Sequence, residues 1–211
     1  TSVSLLDRDP APTNCVTEIA GIYNVVGALL VSNSVFKTVG QGILGASGTF
    51  AQPTVVSGGA LELTATTAQT MARAITTANG GHVDAAVGSN VRFTSNADAS
   101  WDLRISGDAY ATGYSTLPTD GAGTTVMPGG VLRMGDFYGY LGPNSAGGPI
   151  TVLTNGVVRL TQAGDMGCSK PYTLQGGAIT NETSTDNLVY KLYLRDGATF
   201  TGKGVGVGFQ Q

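Results

Sequence analysis

The residues that could carry acid–base chemistry are few in this chain. It holds 14 acidic residues and a single histidine, His82, among 211 residues. Hydrolysis of a glycosidic bond needs two carboxylates roughly 5–10 Å apart, and the closest grouping along the repeats is Asp102 and Asp108, on either side of Arg104. We interpret that grouping as the polar face of a strand, and His82, which follows Gly80 and Gly81, as a corner residue. The sequence therefore predicts no catalytic residues and a protein that is not an enzyme.

Residues that could hold a cofactor or a ligand are equally sparse. A zinc site needs more ligands than one histidine and two cysteines supply, and no phosphate-binding or dinucleotide-binding glycine motif opens a helix. We predict no cofactor. The aromatic residues Phe137, Tyr138 and Tyr140, in GDFYGYLGP (Gly135–Pro143), are candidates for contact with a glycan. The alternative is a loop that covers one side of the fold.

Composition indicates a folded β protein. Glycine accounts for 32 of 211 residues, charged residues for only 12%, and the formal net charge is −3. Because valine, isoleucine and threonine are abundant, this composition differs from that of disordered chains. The absence of a basic cluster argues against nucleic acid as a partner. The most apolar stretch, GIYNVVGALLV (Gly21–Val31), is too short to span a membrane.

A repeated phrase predicts the architecture. A small turn residue is followed two and, in most repeats, four positions later by an apolar residue, and this phrase recurs every 19 to 26 residues. The turn residues are Gly59, Gly81, Gly107, Gly130, Gly156, Gly177 and Asp196. Such a period is typical of a solenoid whose coils cannot bury their apolar face alone. We predict an all-β fold, a right-handed parallel β-helix (β-solenoid) with an N-terminal arm or cap; a β-sandwich or up-and-down barrel is the alternative.

Turn dipeptides leave those two architectures open. Gly58–Gly59, Asn79–Gly80, Asn155–Gly156 and Asp196–Gly197 suit the corners of stacked coils, but such pairs also form two-residue hairpin turns. The spacing favours corners, because the turns of a sandwich recur every 8–12 residues or so. The segment Ala60–Ala78 is the one plausible helix, and its many β-branched residues predict two or three short strands instead.

The repeats resemble a known family. PTVVSGGALEL (Pro53–Leu63) and TTVMPGGVLRM (Thr124–Met134) approximate the phrase T-x-V-x-x-G-G-x-L-x-L, the first with Pro53 in place of the threonine and the second with Met134 in place of the last leucine. This phrase resembles the strand repeats of bacterial autotransporter passengers and related surface β-helices. The resemblance covers Phe50 to Gly202. It implies secretion, a right-handed β-helix and an extracellular or cell-surface location. It carries over no catalytic residues.

The two ends of the chain differ from the repeats. We predict an N-terminal arm or cap over residues 1–40 and the solenoid over residues 41–211. The C-terminal GKGVGVGFQQ (Gly202–Gln211) alternates glycine with apolar residues, which leaves a bare face for a neighbour. Contact between the ends of two copies would then use the apolar residues of both termini. These candidate assembly residues are Ile22, Val25, Val26, Leu29, Leu30, Val205, Val207 and Phe209.

The two cysteines, Cys15 and Cys168, are candidates for a disulfide. At the observed period they lie about seven coils apart, or roughly 30 Å, whereas the Cα atoms of a disulfide lie within about 6.8 Å. They could meet within one subunit only if the N-terminal arm runs back along the solenoid. They could meet more directly between stacked subunits, and two free thiols are the third arrangement.

These features together predict a structural protein. We expect a secreted subunit that assembles with itself, head to tail, into an extracellular or cell-surface fibre. An adhesin or passenger segment that binds a surface glycan is the first alternative, and a polysaccharide lyase or hydrolase is a weaker one. Neither nucleic acid nor a membrane span is expected.

Overall fold

A computed structural model describes the strands and corners of the chain. The described residues are 3–6, 15–19, 22–23, 29–38, 43–44, 54–64, 69–71, 75–87, 90–93, 100–111, 120–134, 149–161, 171–183 and 191–202. These stretches contain strands and turns and no helix. None of them, accordingly, provides a helix long and apolar enough to cross a lipid bilayer.

The strands are short, mostly of four or five residues. The first eight are β1 (Val3–Leu6), β2 (Cys15–Ile19), β3 (Ile22–Tyr23), β4 (Leu29–Ser32), β5 (Ser34–Thr38), β6 (Ile43–Leu44), β7 (Thr54–Ser57) and β8 (Ala60–Leu63). The next seven are β9 (Gln69–Met71), β10 (Ile75–Ala78), β11 (His82–Ala85), β12 (Asn90–Phe93), β13 (Ser100–Ile105), β14 (Asp108–Ala111) and β15 (Asp120–Val126). The last seven are β16 (Val131–Met134), β17 (Ile150–Leu153), β18 (Val157–Leu160), β19 (Pro171–Gln175), β20 (Ala178–Asn181), β21 (Lys191–Arg195) and β22 (Thr199–Gly202).

Each strand pairs with its counterpart one coil away. The nine-stranded sheet has the order β2-β5-β8-β11-β13-β15-β17-β19-β21, and the seven-stranded sheet the order β22-β20-β18-β16-β14-β12-β9. A four-stranded sheet, β1-β4-β7-β10, and a two-stranded sheet, β3-β6, complete the described coils. Every ladder between these strands is parallel. The predicted parallel β-helix is confirmed, and the sandwich alternative is wrong because sandwiches are built from antiparallel pairs.

Register partners reproduce the drifting period of the sequence. Asn90 pairs with Asp108, 18 positions on, and Thr124 pairs with Ile150, 26 positions on. The coils therefore differ in the length of their connections, while the strands stay aligned. Alignment persists because a one-residue slip would turn every inward side chain to the solvent.

The predicted corners are confirmed. Gly58 and Gly59 separate β7 from β8, which lie in different sheets, so the chain bends there without reversing. Positive φ angles occur at Asn79 (51°), Asn155 (62°) and Asp196 (55°), where only a short polar side chain or glycine is readily accommodated. The segment from Ala60 to Ala78 forms β8, β9 and β10, as its β-branched residues predict.

The repeated phrase marks two different corners of the coil. Gly59 and Gly81 stand before strands β8 and β11 of the nine-stranded sheet. Gly107, Gly130 and Gly156 stand before strands of the seven-stranded sheet. The single repeat aligned in the sequence therefore combines two different corners of the coil. The two corners look alike in sequence because each needs a small residue followed by inward apolar side chains.

A continuous core fills the space between the sheets. Leu61, Leu63, Val158 and Leu160 are fully buried, as the alternation in the sequence predicts. Glu62, between the first two, is only half-buried on the outer face. The cluster of buried apolar side chains runs from β4 to β20, so each coil covers the core of its neighbours.

The N-terminal residues contribute to the same sheets. β2 pairs with β5, and β5 pairs with β8, in the nine-stranded sheet, while β1 pairs with β4 in the four-stranded sheet. The predicted boundary at residue 40 therefore does not coincide with a break in the strand pairing. The first forty residues supply the first strands of the stack.

Candidate functional site

The C-terminal end of the stack exposes apolar side chains whose register partners on the preceding coil are buried. Leu194 of β21 continues the row of Val152 and Leu174, which pair in register along the nine-stranded sheet. Val152 and Leu174 are 0% exposed, but Leu194 is 55% exposed. The difference arises because no described strand lies beyond β21 to cover it.

Strand β22 shows the same termination in the seven-stranded sheet. Phe200 pairs in register with Ile179, which is fully buried, yet Phe200 itself is only partly buried against the core. Leu192 is likewise partly buried, whereas its register partner Tyr172 is completely covered. The last described coil thus presents a cross-section of the core together with two strand edges, which natural proteins usually cover or pair.

The opposite end of the nine-stranded sheet is strand β2. It pairs with β5 on one side only among the described strands. Val16 is 52% exposed and Glu18 is exposed, opposite Val35 and Lys37 in register. Among the described strands, the same sheet therefore has an unpaired edge at each end, and both edges belong to parallel strands that run in the same direction.

The candidate assembly residues have different places in this arrangement. Leu29, one of these candidates, is 0% exposed in β4, in the core between β1 and β7. Its side chain therefore offers no contact surface. Leu30 is half-buried on the outer face of the same strand. Ile22 lies in β3, where its backbone pairs with Ile43. The other candidates lie outside the described residues: Val25, Val26, Val205, Val207 and Phe209.

A row of charged residues follows the outer face of the nine-stranded sheet. Register pairing places Glu18, Lys37, Glu62, Asp84 and Arg104 on successive strands. Lys37 Nζ lies 3.6 Å from Glu62 Oε2, and Arg104 Nη2 lies 3.2 Å from Asp102 Oδ2 on the same strand. The sequence analysis missed this row because its members are separated by about one coil of sequence. They could have been found by looking for charged residues at the spacing of the repeat.

Asp84 is a half-buried carboxylate in this row. Its Oδ1 accepts a hydrogen bond from Ser106 N at 3.2 Å and its Oδ2 one from Ser106 Oγ at 3.0 Å. Burial raises the pKa of Asp84, the hydrogen bonds from Ser106 and the charge of His82 oppose this rise, and the neighbouring Glu62 adds to it. Adjacent coils thus bring two carboxylates together, but Glu62 is paired with Lys37 and Asp84 is bound by Ser106.

Ion pairs also cross between coils on the seven-stranded sheet. Arg133 binds Asp108 with two nitrogens, Nε to Oδ1 at 2.9 Å and Nη2 to Oδ2 at 2.7 Å. Arg159 Nη1 lies 3.3 Å from Glu182 Oε1. Asp108 therefore pairs with the following coil. Asp102 and Arg104 lie on β13 of the nine-stranded sheet and Asp108 on β14 of the seven-stranded sheet, so the grouping is not the face of a single strand. These charges stabilise the stack modestly, since all are partly exposed.

A cleft of about 230 Å³ lies at the corner between the four-stranded and nine-stranded sheets. It is lined by Asn33, Ser34, Val35, Gly58, Gly59, Ala60, Asn79, Gly80 and His82. His82 is half-buried there, and its Nδ1 is buried without a hydrogen-bond partner. The cleft is small, and its described lining residues include no aromatic side chain other than this imidazole.

All but one of the remaining predicted site residues lie outside the described residues. Cys15 is in β2, where its backbone pairs with Ser34, but Cys168 is outside the described residues, so the disulfide stays a prediction. The aromatic residues Phe137, Tyr138 and Tyr140 are also outside them, and the glycan contact likewise stays a prediction. Within the described stretches, no group of three His, Cys, Asp or Glu side chains could hold a metal ion.

Comparison with protein-family models, curated proteins and solved structures finds no match for the chain. The resemblance to autotransporter passengers therefore rests on the repeat phrase alone and stays a prediction. The physical basis for a function is the geometry of the stack, above all the contrast between its covered coils and its uncovered ends.

Proposed function

We propose that this chain is a structural subunit that assembles end to end into an extracellular or cell-surface fibre. The observation that supports this most directly is the row Val152, Leu174 and Leu194, in which the first two side chains are 0% exposed and the last is 55% exposed. A further coil placed on β21 would cover Leu194 as β21 itself covers Leu174. A second copy of the chain is the simplest source of such a coil.

Physical chemistry favours this association. Burying a leucine side chain fully contributes about 1.5–3 kcal/mol, and Leu192, Leu194 and Phe200 all gain cover at this end. The edge of a strand also presents unpaired N–H and C=O groups that another strand can bind. Because the two ends of the stack are different surfaces, the contact is head to tail. Stacking along the axis of the solenoid does not bring the chain of copies back on itself, so the contact produces an open filament.

The extracellular or surface location is part of the proposal. It is supported by the low share of charged residues, 12%, and by the resemblance of the repeats to surface β-helices. No cofactor or catalytic step is required, because such a subunit acts only through side-chain packing and strand pairing with other copies.

Electron micrographs of the purified protein test the proposal. Wild type should form fibres, and Leu194→Glu should remain monomeric, because a charge placed at the exposed end of the core opposes its burial. Val87→Glu is the matched control, since Val87 is 78% exposed at a corner away from both ends. It should form fibres as wild type does.

Circular dichroism should show the same β content in both variants, which separates lost assembly from lost folding. Wild-type protein that stays a monodisperse monomer at all concentrations would sink the proposal. So would equal loss of fibres in the Val87→Glu control.

A further inference from the structure

We propose that the fibre contact is a parallel strand pair between β21 of one copy and β2 of the next, in the register that continues the rows of the coil. Tyr193 then lies opposite Glu18, and Lys191 lies opposite Val16. This inference rests on the proposed end-to-end assembly and specifies its partner surface, a second copy of this chain. The nine-stranded sheet would run unbroken through the fibre.

The inward and outward alternation restricts the register. One row of the sheet runs through Phe36, Leu61 and Val83 and reaches Leu192 at the last strand. In the first strand the same row holds Thr17. Placing Leu192 opposite Thr17 keeps Leu192 and Leu194 on the core face of the combined stack. A slip of one residue would turn them to the solvent, so only slips of an even number of residues remain.

The lengths of the two strands select among those registers. β21 (Lys191–Arg195) and β2 (Cys15–Ile19) both have five residues, and the Asp196–Gly197 turn directly follows β21. The continuing register overlaps them almost completely, from Lys191 opposite Val16 to Leu194 opposite Ile19. Slips of two residues reduce this overlap or place the Asp196–Gly197 turn against a strand, so they lose backbone hydrogen bonds.

Charge complements this arrangement. Glu18 is exposed on β2, and Tyr193, its proposed partner, is 52% exposed on β21. Lys191 and Arg195 stand two positions before and two positions after Tyr193 along β21. The contact would therefore place one carboxylate between two cations. The row already alternates charge within the chain, where Lys37 pairs with Glu62.

Cysteine cross-linking tests the register. Directly opposed residues on neighbouring strands lie about 4.8 Å apart, within the range of a disulfide, whereas residues two positions out of register lie about 8 Å apart and beyond that range. We expect Glu18→Cys with Tyr193→Cys, in a Cys15→Ser, Cys168→Ser background, to give a ladder of linked subunits on non-reducing gels. Val16→Cys with Tyr193→Cys is the matched control and should give none.

The outcomes separate this inference from the proposed function. Fibres of the parent that give no ladder with Glu18→Cys, or a ladder with Val16→Cys instead, would overturn the register and leave end-to-end assembly standing. Wild-type protein without fibres would overturn both. A ladder with Glu18→Cys alone supports both.

Charge exchange provides a second test with the native cysteines in place. Glu18→Lys alone, or Lys191→Glu with Arg195→Glu, should raise the protein concentration needed for assembly by about tenfold or more, because like charges then meet across the contact. Mixing the two variants should restore fibres, since each tail then meets a head of opposite charge. Fibre formation by either variant at the wild-type concentration, or failure of the mixture to restore it, would contradict the inference.

Discussion

Asp84 is a partly buried ionisable residue on the outer face of the nine-stranded sheet. Asp84 lies between Glu62 and Arg104 in register and accepts two hydrogen bonds from Ser106. Burial raises its pKa above the usual 3.8, against the effect of those hydrogen bonds and of His82. The folded protein therefore holds the Asp84 proton more tightly than the unfolded chain does.

The sign of the pH dependence follows from that difference. Stability falls with rising pH wherever the folded state binds more protons than the unfolded state. Relative to Asp84→Asn, wild type should therefore lose stability as pH rises through the interval between 3.8 and the raised pKa of folded Asp84. Urea unfolding of both proteins from pH 3 to pH 7 measures this.

The control for this experiment is a substitution without a titrating group on the same face. Thr125→Ser should differ from wild type by an amount that does not change with pH, because neither side chain ionises in this range. A stability difference between wild type and Asp84→Asn that grows in favour of wild type with rising pH would contradict the assignment.

At the scale of the element, the corners set how closely successive coils approach. A Cβ atom on Gly59 would overlap the backbone oxygen of Ser34 in the preceding coil. Gly80 has a positive φ of 77°, but a Cβ atom there would meet nothing within 4 Å. The first glycine is required by contact with a neighbouring coil, and the second by its own backbone conformation.

These two causes predict different costs. Gly80→Ala should lower the free energy of unfolding by about 1–2 kcal/mol, the cost of the left-handed conformation for a residue with a side chain. Gly59→Ala should lower it by more, because the obstructing group is backbone and the coils must move apart. Denaturant midpoints with unchanged slopes measure both. An equal or smaller effect at Gly59 would show that the corner can relax.

At the scale of the whole molecule, each coil is stabilised mainly by its neighbours, as in other solenoids. The core cluster extends continuously from β4 to β20, whereas Leu192, Ala198 and Phe200 at the last coil are only partly covered. The last described coil therefore has less cover than the coils before it. Under the proposed assembly, a neighbouring copy supplies that cover and should stabilise the fold.

Assembly should consequently make thermal stability depend on protein concentration. A tenfold increase in concentration corresponds to about 1.4 kcal/mol, and 1 kcal/mol shifts the Tm of a chain of this length by about 2–4 °C. We expect the Tm of wild type to rise by about 3–6 °C per tenfold increase. The Tm of Leu194→Glu should not change, and a Tm of wild type that is also constant would contradict the proposal.

The sequence alone was sufficient to predict the architecture. The small residue before an apolar alternation, as in Gly58–Gly59 before Leu61 and Leu63, predicts both the corner and the inward side chains. These are local properties, since φ preference and the two-residue period of a strand act within a few positions. For the same reason, the sequence did not distinguish the corner at Gly81 from the corner at Gly107, because both place the same local demands on the chain.

Only the tertiary structure decided which coils are covered and which residues meet between coils. Leu29 belongs to an apolar N-terminal stretch and is therefore a candidate assembly residue in the sequence. In the structure, β4 pairs with a strand on each side, and Leu29 is completely buried. Leu194 repeats the pattern of Leu174, yet it is exposed because it belongs to the last described strand of its sheet. Burial and charge pairing in a solenoid depend on residues one coil away. Because the connections between strands vary in length, the sequence separation of register partners varies too, and a local sequence pattern does not reveal which residues meet.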